Sequence, residues 1–204
     1  NDYDHPLIIK VASIPQIRIQ VYFIDNEEYF KKKFIFKGSD GKYFKDNDER
    51  SMFFCRGVLE TVKKLGWMPD IVHCHGWMTA LMPVYLKSVY KNDPHFSNAK
   101  IIYAHYKQDE KLKFSKDLPT KLDFDELPTG DLNLDGLADV NKLHEIGIQW
   151  SDAVSHGSPE VDESLLELIK KTDKSVLEYH DEEQTVEAHQ NFYDKVLSEN
   201  GVLV

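Results

Sequence analysis

A short apolar run that ends at a glycine constrains the fold of this chain more than any other segment. Residues 70–75 (DIVHCH) have the length of a buried strand, and Gly76 separates them from a helical pattern over 77–90. Further strand-like runs cover residues 99–103, 152–156 and 175–179. Strands that alternate with helices of ten or more residues form mostly parallel sheets. We therefore predict an α/β fold, a mostly parallel sheet with helices on both faces.

The residues before this pattern predict a hairpin and a long helix. Residues 6–14 and 16–25 are strand-like and flank Pro15, and the second run alternates polar and apolar residues as a half-buried strand does. After a polar loop over 26–45, a helix is expected from Asp46, with Glu49 completing a capping box, to Gly66.

The second half of the chain carries weaker signals. Residues 107–136 predict a long loop with about one helical turn, followed by a helix over 137–150. Ser158 and Pro159 have the residue types of a helix N-cap and first helical position, so a helix is expected to begin there and to reach residue 171. A last helix is expected over residues 182–197.

Composition excludes several classes of partner. A chain of 204 residues can form one domain with a proper core, and its net charge of −10 argues against nucleic acid and against anionic lipid. No apolar stretch approaches the roughly 20 residues that would span a membrane. Its two cysteines, Cys55 and Cys74, do not form a disulfide framework and fit a reducing compartment, so a cytoplasmic location is expected.

Two histidines lie on one face of the predicted strand over 70–75. His73 and His75 are two residues apart and point to the same side, whereas Cys74 points to the other. The spacing offers no third ligand, so a zinc site and a metal-dependent hydrolase rank last. We favour one histidine as a core residue with polar partners and the other as part of a crevice. Motifs for dinucleotides, phosphate loops, nucleophile elbows and Cys-x-x-Cys chemistry are missing, so neither a cofactor nor a metal is expected.

Several segments, in order along the chain, carry a family resemblance. These are VYFIDNEEYFKKK (21–33), the run from residue 43 to 87 that includes DNDERSMFF and PDIVHCHGWMTAL, and SDAVSHGSPEV (151–161). They resemble the starch and glycogen synthase family over about residues 6–168. Several motifs in the right order are far more specific than any one of them.

The resemblance implies an ADP-glucose-dependent, retaining glucosyltransferase that extends an α-1,4-glucan. Such enzymes have the GT-B architecture of two Rossmann-like domains with the active site in the cleft between them. Residues 1–204 would be a single Rossmann-like domain of the N-terminal, acceptor-side type. The family's first strand with its Lys-x-Gly-Gly loop and its second domain have no counterpart in this sequence. The resemblance assigns substrate contacts to His75, Gly76, Trp77 and Thr79.

The same segments depart from the family's pattern at positions close to the chemistry. Gly76 and Met78 stand where the family has Asp and His. The third strand of the family ends in Thr-Ile-His-Asn, whose His contacts the reacting sugar. The ungapped register, which we favour, aligns Tyr106 with that His, and His105 then faces the wrong way. A one-residue gap would instead align His105.

Two hypotheses for function follow. The first is a glycogen or starch synthase that acts only when joined to its missing parts, with this chain alone weak or inactive. The alternative is a non-catalytic module that binds glucan or a protein partner, with Trp77, Tyr103 and Tyr106 as candidate sugar-stacking aromatics, although core roles fit Trp77 and Tyr103 better. Homo-oligomerisation stays open, because a missing first strand would expose a sheet edge.

Overall fold

The fold contains two sheets in a computed structural model that describes residues 5–107, 112, 114–135 and 139–199. The strands are β1 (Ile8–Ile14), β2 (Ile19–Asp25), β3 (Ile71–His75), β4 (Lys100–His105), β5 (Ala153–His156) and β6 (Ser175–Leu177). β1 and β2 form the predicted antiparallel hairpin, with Pro15–Ile17 as a 3-10 turn between them. β3 to β6 form a parallel sheet in sequence order.

Helices cover both faces of the parallel sheet, which confirms the predicted fold class. The helices are α1 (Glu27–Phe30), α2 (Asn47–Lys64), α3 (Met82–Lys87), α4 (Leu118–Phe124), α5 (Val140–Trp150), α6 (Glu163–Lys170) and α7 (Thr185–Ser198). The larger core lies on the face covered by α2, α3, α5 and α6. α7 packs on the opposite face, around Ile102, Leu177 and Phe192. No helix within the described ranges is long and apolar enough to cross a membrane.

Strand β4 is the buried centre of the sheet. Tyr103 points to the α5 side and Ile102 to the α7 side, and neither residue is exposed to solvent. Tyr103 packs so closely on α5 that a Cβ atom added at Gly147 would lie 2.7 Å from its ring. A continuous apolar run with helices on both sides is typical of a parallel strand, as the sequence predicts.

The predicted capping box of α2 is wrong, although the helix and its glycine stop are confirmed. The Asp46 carboxylate accepts a hydrogen bond from Lys32 Nζ at 2.6 Å and makes no cap contact, while Glu49 pairs with Lys121 at 2.7 Å. Both carboxylates are therefore drawn away by lysines that are distant in sequence. Gly66 ends the helix with a φ of 68°, a conformation that favours glycine.

The helix predicted after Gly76 is broken into two pieces. Residues 77–79 form a 3-10 turn, and α3 begins only at Met82. Pro83 lies in the first turn of α3, where its missing N–H group costs nothing. α3 ends at Lys87, beside Ser88, whose hydroxyl donates to the carbonyl oxygen of Val84 at 2.6 Å.

The predicted helix start at Ser158 is also wrong. α6 begins at Glu163, and its N-cap is Asp162, which accepts a hydrogen bond from the backbone N–H of Ser164 at 3.0 Å. Ser158 instead joins two loops: its hydroxyl accepts from the backbone N–H of Lys107 at 2.9 Å and donates to the carbonyl oxygen of Glu160 at 2.8 Å. A residue suited to capping is thus used for a tertiary contact.

The predicted long loop over 107–136 contributes to the core. Leu118 and Leu122 of α4 are buried, as are Leu127 and Leu132 after it. The predicted helix over 137–150 is described from Val140, with Asp139 as its N-cap. Residues 108–111, 113 and 136–138 lie outside the described part of the chain.

A buried carboxylate ties this segment to the helices beneath it. Asp125, directly after α4, accepts hydrogen bonds from the hydroxyl of Tyr85 on α3 and from Arg56 on α2. The side chain of Asp125 is 15 % exposed, and Tyr85 is fully buried. A buried hydroxyl that loses its acceptor costs free energy, so Asp125 holds three elements together.

Replacing Asp125 by Ala is expected to lower the free energy of unfolding by about 1–3 kcal/mol, because it leaves the Tyr85 hydroxyl without its acceptor. Urea unfolding followed by circular dichroism measures this change. The matched control is Asp123→Ala, at an exposed position of α4, which is expected to change stability by less than about 0.5 kcal/mol. Equal losses in the two variants would contradict the role given to Asp125.

Candidate functional site

A crevice lies at the carboxyl ends of β3, β4 and β5. The parallel register aligns His75 with Ala104 and Ala104 with Ser155, so that side chains from three strands meet at one edge. The first turn of α7 and the segment before it form the opposite wall, and the cavity between them has a volume of ≈ 300 Å³. This edge is where open α/β sheets bind their ligands.

His75 and Tyr106 form the centre of the crevice. His75 Nδ1 and the Tyr106 hydroxyl are joined by a hydrogen bond of 2.8 Å. The Tyr106 ring lies over the backbone of Gly157, and a Cβ atom added at Gly157 would come within 2.3 Å of the ring. A Cβ atom added at Gly76 would lie 3.7 Å from the same ring. Gly76 has a φ of 73°, which favours glycine. Gly157 therefore makes room for the tyrosine ring, and Gly76 supplies the turn beside it.

His73 lies beside His75, as the sequence predicts, and is held by polar partners. The two rings are 4.1 Å apart between centroids. His73 hydrogen-bonds through Nδ1 to the hydroxyl of Tyr193 at 2.8 Å and through Nε2 to that of Ser155 at 3.0 Å. Burial lowers the pKa of His73 to about 3 and also lowers the pKa of His75, with neighbouring histidines adding to both shifts. The pair is therefore neutral at physiological pH.

The other residues assigned by resemblance lie outside the crevice. Trp77 is buried, with its ring 4.8 Å from that of Phe36 and 5.5 Å from that of Phe114. Thr79 donates its hydroxyl to the carbonyl oxygen of Gly76 at 3.0 Å. Both side chains hold the turn that presents His75 and Gly76.

His105 belongs to a histidine cluster on the α5 side of the sheet, and one member of this cluster, His156, also lines the crevice. The ring centroid of His105 lies 4.8 Å from that of His156 and 6.4 Å from that of His144. Among the described residues, neither ring nitrogen of His105 has a hydrogen-bond partner, nor does Nε2 of His144 or of His156. His144 Nδ1 and the hydroxyl of Tyr103 are 2.7 Å apart. Tyr106, and not His105, therefore reaches the crevice.

The chemistry available in the crevice is hydrogen bonding by imidazole and hydroxyl groups. Its ten lining residues include four histidines, two tyrosines, Ser155 and Thr185, and none of them is Lys, Arg, Asp or Glu. In the residues that the structure describes, no three His, Cys, Asp or Glu side chains are placed to hold a metal ion. Such a lining suits a ligand rich in hydroxyl groups.

Sequence reasoning found two of the ten lining residues, His75 and Tyr106, and missed the others. Tyr179, His180, Thr185 and His189 come from the end of the chain and form one wall of the crevice. The only available signal was the spacing of Thr185 and His189, which places them one turn apart on the same side of α7. His156, at the end of the predicted strand over 152–156, was also overlooked.

Replacing Gly157 by Ala is expected to displace Tyr106 and to break its hydrogen bond with His75, because the added Cβ would overlap the ring. We expect a loss of about 1–2 kcal/mol in the free energy of unfolding. In a Tyr106→Ala background the same substitution should cost almost nothing, which a double-mutant cycle by urea unfolding measures. Additive losses would show that the two residues are not in contact.

The buried histidines predict a loss of stability in acid. Burial lowers the pKa of His105 to about 3 and that of His144 to about 4, whereas an unfolded histidine has a pKa of about 6.5. Below about pH 6.5 the unfolded chain therefore binds protons that the folded chain excludes, and stability falls as the pH approaches 4. Each such histidine contributes up to about 1.4 kcal/mol per pH unit.

The measurement is urea unfolding of the wild type and of His144→Gln in steps from pH 7.5 to 4.5. Glutamine keeps an acceptor for Tyr103 and cannot titrate. The variant is expected to show an acid slope that is shallower by about one bound proton. Identical slopes would mean that His144 is protonated in the folded chain as easily as in the unfolded one.

Comparison with known proteins identifies a family. Residues 2–176 match the sequence profile of the family described as the starch synthase catalytic domain. The glycogen synthase of Chlorobium luteolum is 39% identical over 153 residues, which cover 68% of this chain and 31% of that protein. The glycogen synthase of Chlorobium phaeovibrioides is 36% identical over 166 residues, covering 78% and 32%.

One solved structure has the same fold. The catalytic domain of starch synthase IV from Arabidopsis thaliana, bound to ADP and acarbose, superimposes with a TM-score of 0.58 and 20% identity. The match covers 92% of this chain and 35% of that one. The chain thus has the fold of a GT-B glycosyltransferase domain and spans about a third of the length of these proteins. On the family match over residues 2–176, the chain belongs to the starch synthase catalytic domain family.

Proposed function

We propose that this chain is the acceptor-side domain of a glycogen or starch synthase-type glucosyltransferase, with ADP-glucose as donor and an α-1,4-glucan as acceptor. The observation that carries the proposal is the family match over residues 2–176, which includes all three strands that form the floor of the crevice. The solved relative's ADP and acarbose are a nucleotide and an oligosaccharide analogue, the two ligand types that such a reaction needs.

His75 and Tyr106 are the residues to which we assign contact with the sugar. Both line the crevice, and the bond between them fixes the ring of His75. Gly76 lies next to the ring of Tyr106, whereas Trp77 and Thr79 act by holding the turn. His105 is buried at the end of β4, on the side of α5, and is a structural residue in this proposal.

The chain by itself is expected to transfer glucose weakly or not at all. Retention at the anomeric carbon needs fixed dipoles or charges that stabilise the departing diphosphate. The crevice lining offers neither Lys nor Arg for that purpose. A nucleotide-binding domain, in the same polypeptide or in another, would have to supply these groups.

The buried thiols of Cys55 and Cys74 support a reducing, cytoplasmic location for this reaction.

The alternative of a module that binds glucan without catalysis shares the acceptor site and differs only in the fate of the donor. Both hypotheses predict that this chain binds the acceptor, and only the first predicts glucose transfer once a nucleotide-binding domain is supplied.

Isothermal titration of the purified chain with maltoheptaose, ADP and ADP-glucose is the first experiment. We expect heat from maltoheptaose and none from ADP, because the lining contains no Lys or Arg to hold a diphosphate. Binding of ADP-glucose would contradict the expected weakness of the isolated chain and would call for a transfer assay. Silence for all three ligands would overturn the proposed function.

The control variant is Val186→Ala, on a residue of α7 that is 73% exposed and lies outside the crevice lining. Its titration should match that of the wild type.

A further inference from the structure

The outer wall of the crevice comes from residues that the family match does not include. The match ends at residue 176, and Tyr179, His180, Thr185 and His189 all follow it. The floor therefore lies inside the matched region and the wall outside it. The wall turns an open strand edge into a cavity of ≈ 300 Å³, at the lower end of the roughly 300–1,000 Å³ that small-molecule pockets have.

We propose that this wall makes the crevice a pocket for one neutral hexose unit, with Tyr179 and His189 as its specificity-determining residues. The inference rests on the proposed function in that the hexose is taken to be glucose, free or at the end of an α-glucan. It goes further in assigning recognition to a segment outside the matched family region.

The wall is rigidly tied to the floor. Tyr193 of α7 hydrogen-bonds His73 at 2.8 Å, and Phe192 and Val196 of the same helix pack on the sheet. His189 lies one turn from Tyr193, with its ring 5.8 Å from that of His73 between centroids. The wall residues on α7 are thus held in place before any ligand arrives, which reduces the entropy lost on binding.

The tautomer of His189 is set by the helix. Its Nδ1 lies 2.7 Å from the carbonyl oxygen of Thr185, to which it can only donate. In the neutral ring Nε2 is then an acceptor, a suitable partner for a sugar hydroxyl. Tyr179 adds an aromatic ring that is 45% exposed, the kind of surface that packs against the apolar face of a pyranose.

The electrostatics favour a neutral ligand over a phosphate. A helix N-terminus ordinarily attracts anions, but that of α7 is already supplied with carboxylates. Asp181 accepts a hydrogen bond from the backbone N–H of Gln184 at 3.1 Å, the N–H of Thr185 donates to the carbonyl oxygen of Asp181 at 2.9 Å, and Glu182 and Glu183 lie between them. Glu178, 3.1 Å from His156 Nδ1, adds another carboxylate at the rim.

The test compares affinities for maltoheptaose in the full chain by isothermal titration. Tyr179→Ala and His189→Ala are each expected to weaken binding at least about fivefold, the loss of one aromatic contact or one hydrogen bond. Val186→Ala serves as the matched control on the same helix and should leave the affinity unchanged. Urea unfolding of each variant verifies that α7 stays folded.

Competition identifies the ligand class. Glucose is expected to displace maltoheptaose, and glucose 1-phosphate is expected to compete at least about fivefold less well because of its charge. If glucose fails while the oligosaccharide binds, the pocket does not take a single unit. Stronger competition by the phosphate would show an anion site instead.

Failure of this inference can be told from failure of the proposed function. If maltoheptaose binds the wild type and both wall variants equally, the wall has no role in recognition, and the proposed function stands. If the wild type binds none of the sugars, both are overturned.

Discussion

Burial of strand β4 on both faces is the constraint on which the rest of the structure depends. Helices lie above and below it, so successive side chains enter one core and the other in turn. Polar side chains can reach solvent only at the end of the strand. His105 is the last residue of the strand and still points into the α5 side. Tyr106 is the first that is free to turn into the crevice. The alternation of side chains along β4 thus decides that Tyr106, and not His105, enters the crevice.

The departures from the family's pattern are best understood together. Gly76 has no side chain to occupy the space above β3, and Gly157 has none above β5. The ring of Tyr106 fills the space between these two backbones and bonds to His75. The centre of the crevice is therefore built around the ring of Tyr106.

Sequence patterns were sufficient for the elements whose formation is governed by local periodicity. The hairpin, the buried strands and the same-face placement of His73 and His75 were all predicted, because alternation and apolar length are recorded in neighbouring residues. The predictions at Asp46 and Ser158 were wrong because distant partners, Lys32 and Lys107, took the side chains that local rules assign to helix caps. Tertiary contacts that override local preference leave no mark in a single sequence.

The outer wall of the crevice shows the same limit at the functional site. Thr185 and His189 follow helical spacing that any exposed helix can have, and only the docking of α7 on β3 through Tyr193 brings them to the floor residues. The floor could be inferred from motifs because the carboxyl ends of neighbouring parallel strands always lie at the same edge of the sheet. The wall could not, because its position depends on how one amphipathic helix packs.

The burial of both cysteines has a practical consequence for studying the protein. Cys55 and Cys74 have 0% and 2% exposure, and burial raises the pKa of Cys74 to about 12 and that of Cys55 well above its ordinary value. Neither thiol presents a reactive thiolate at neutral pH. A single cysteine introduced on the exposed side of α7 would then be labelled selectively by a maleimide dye in the otherwise native chain, and its fluorescence would report directly on the movement of the helix against the sheet.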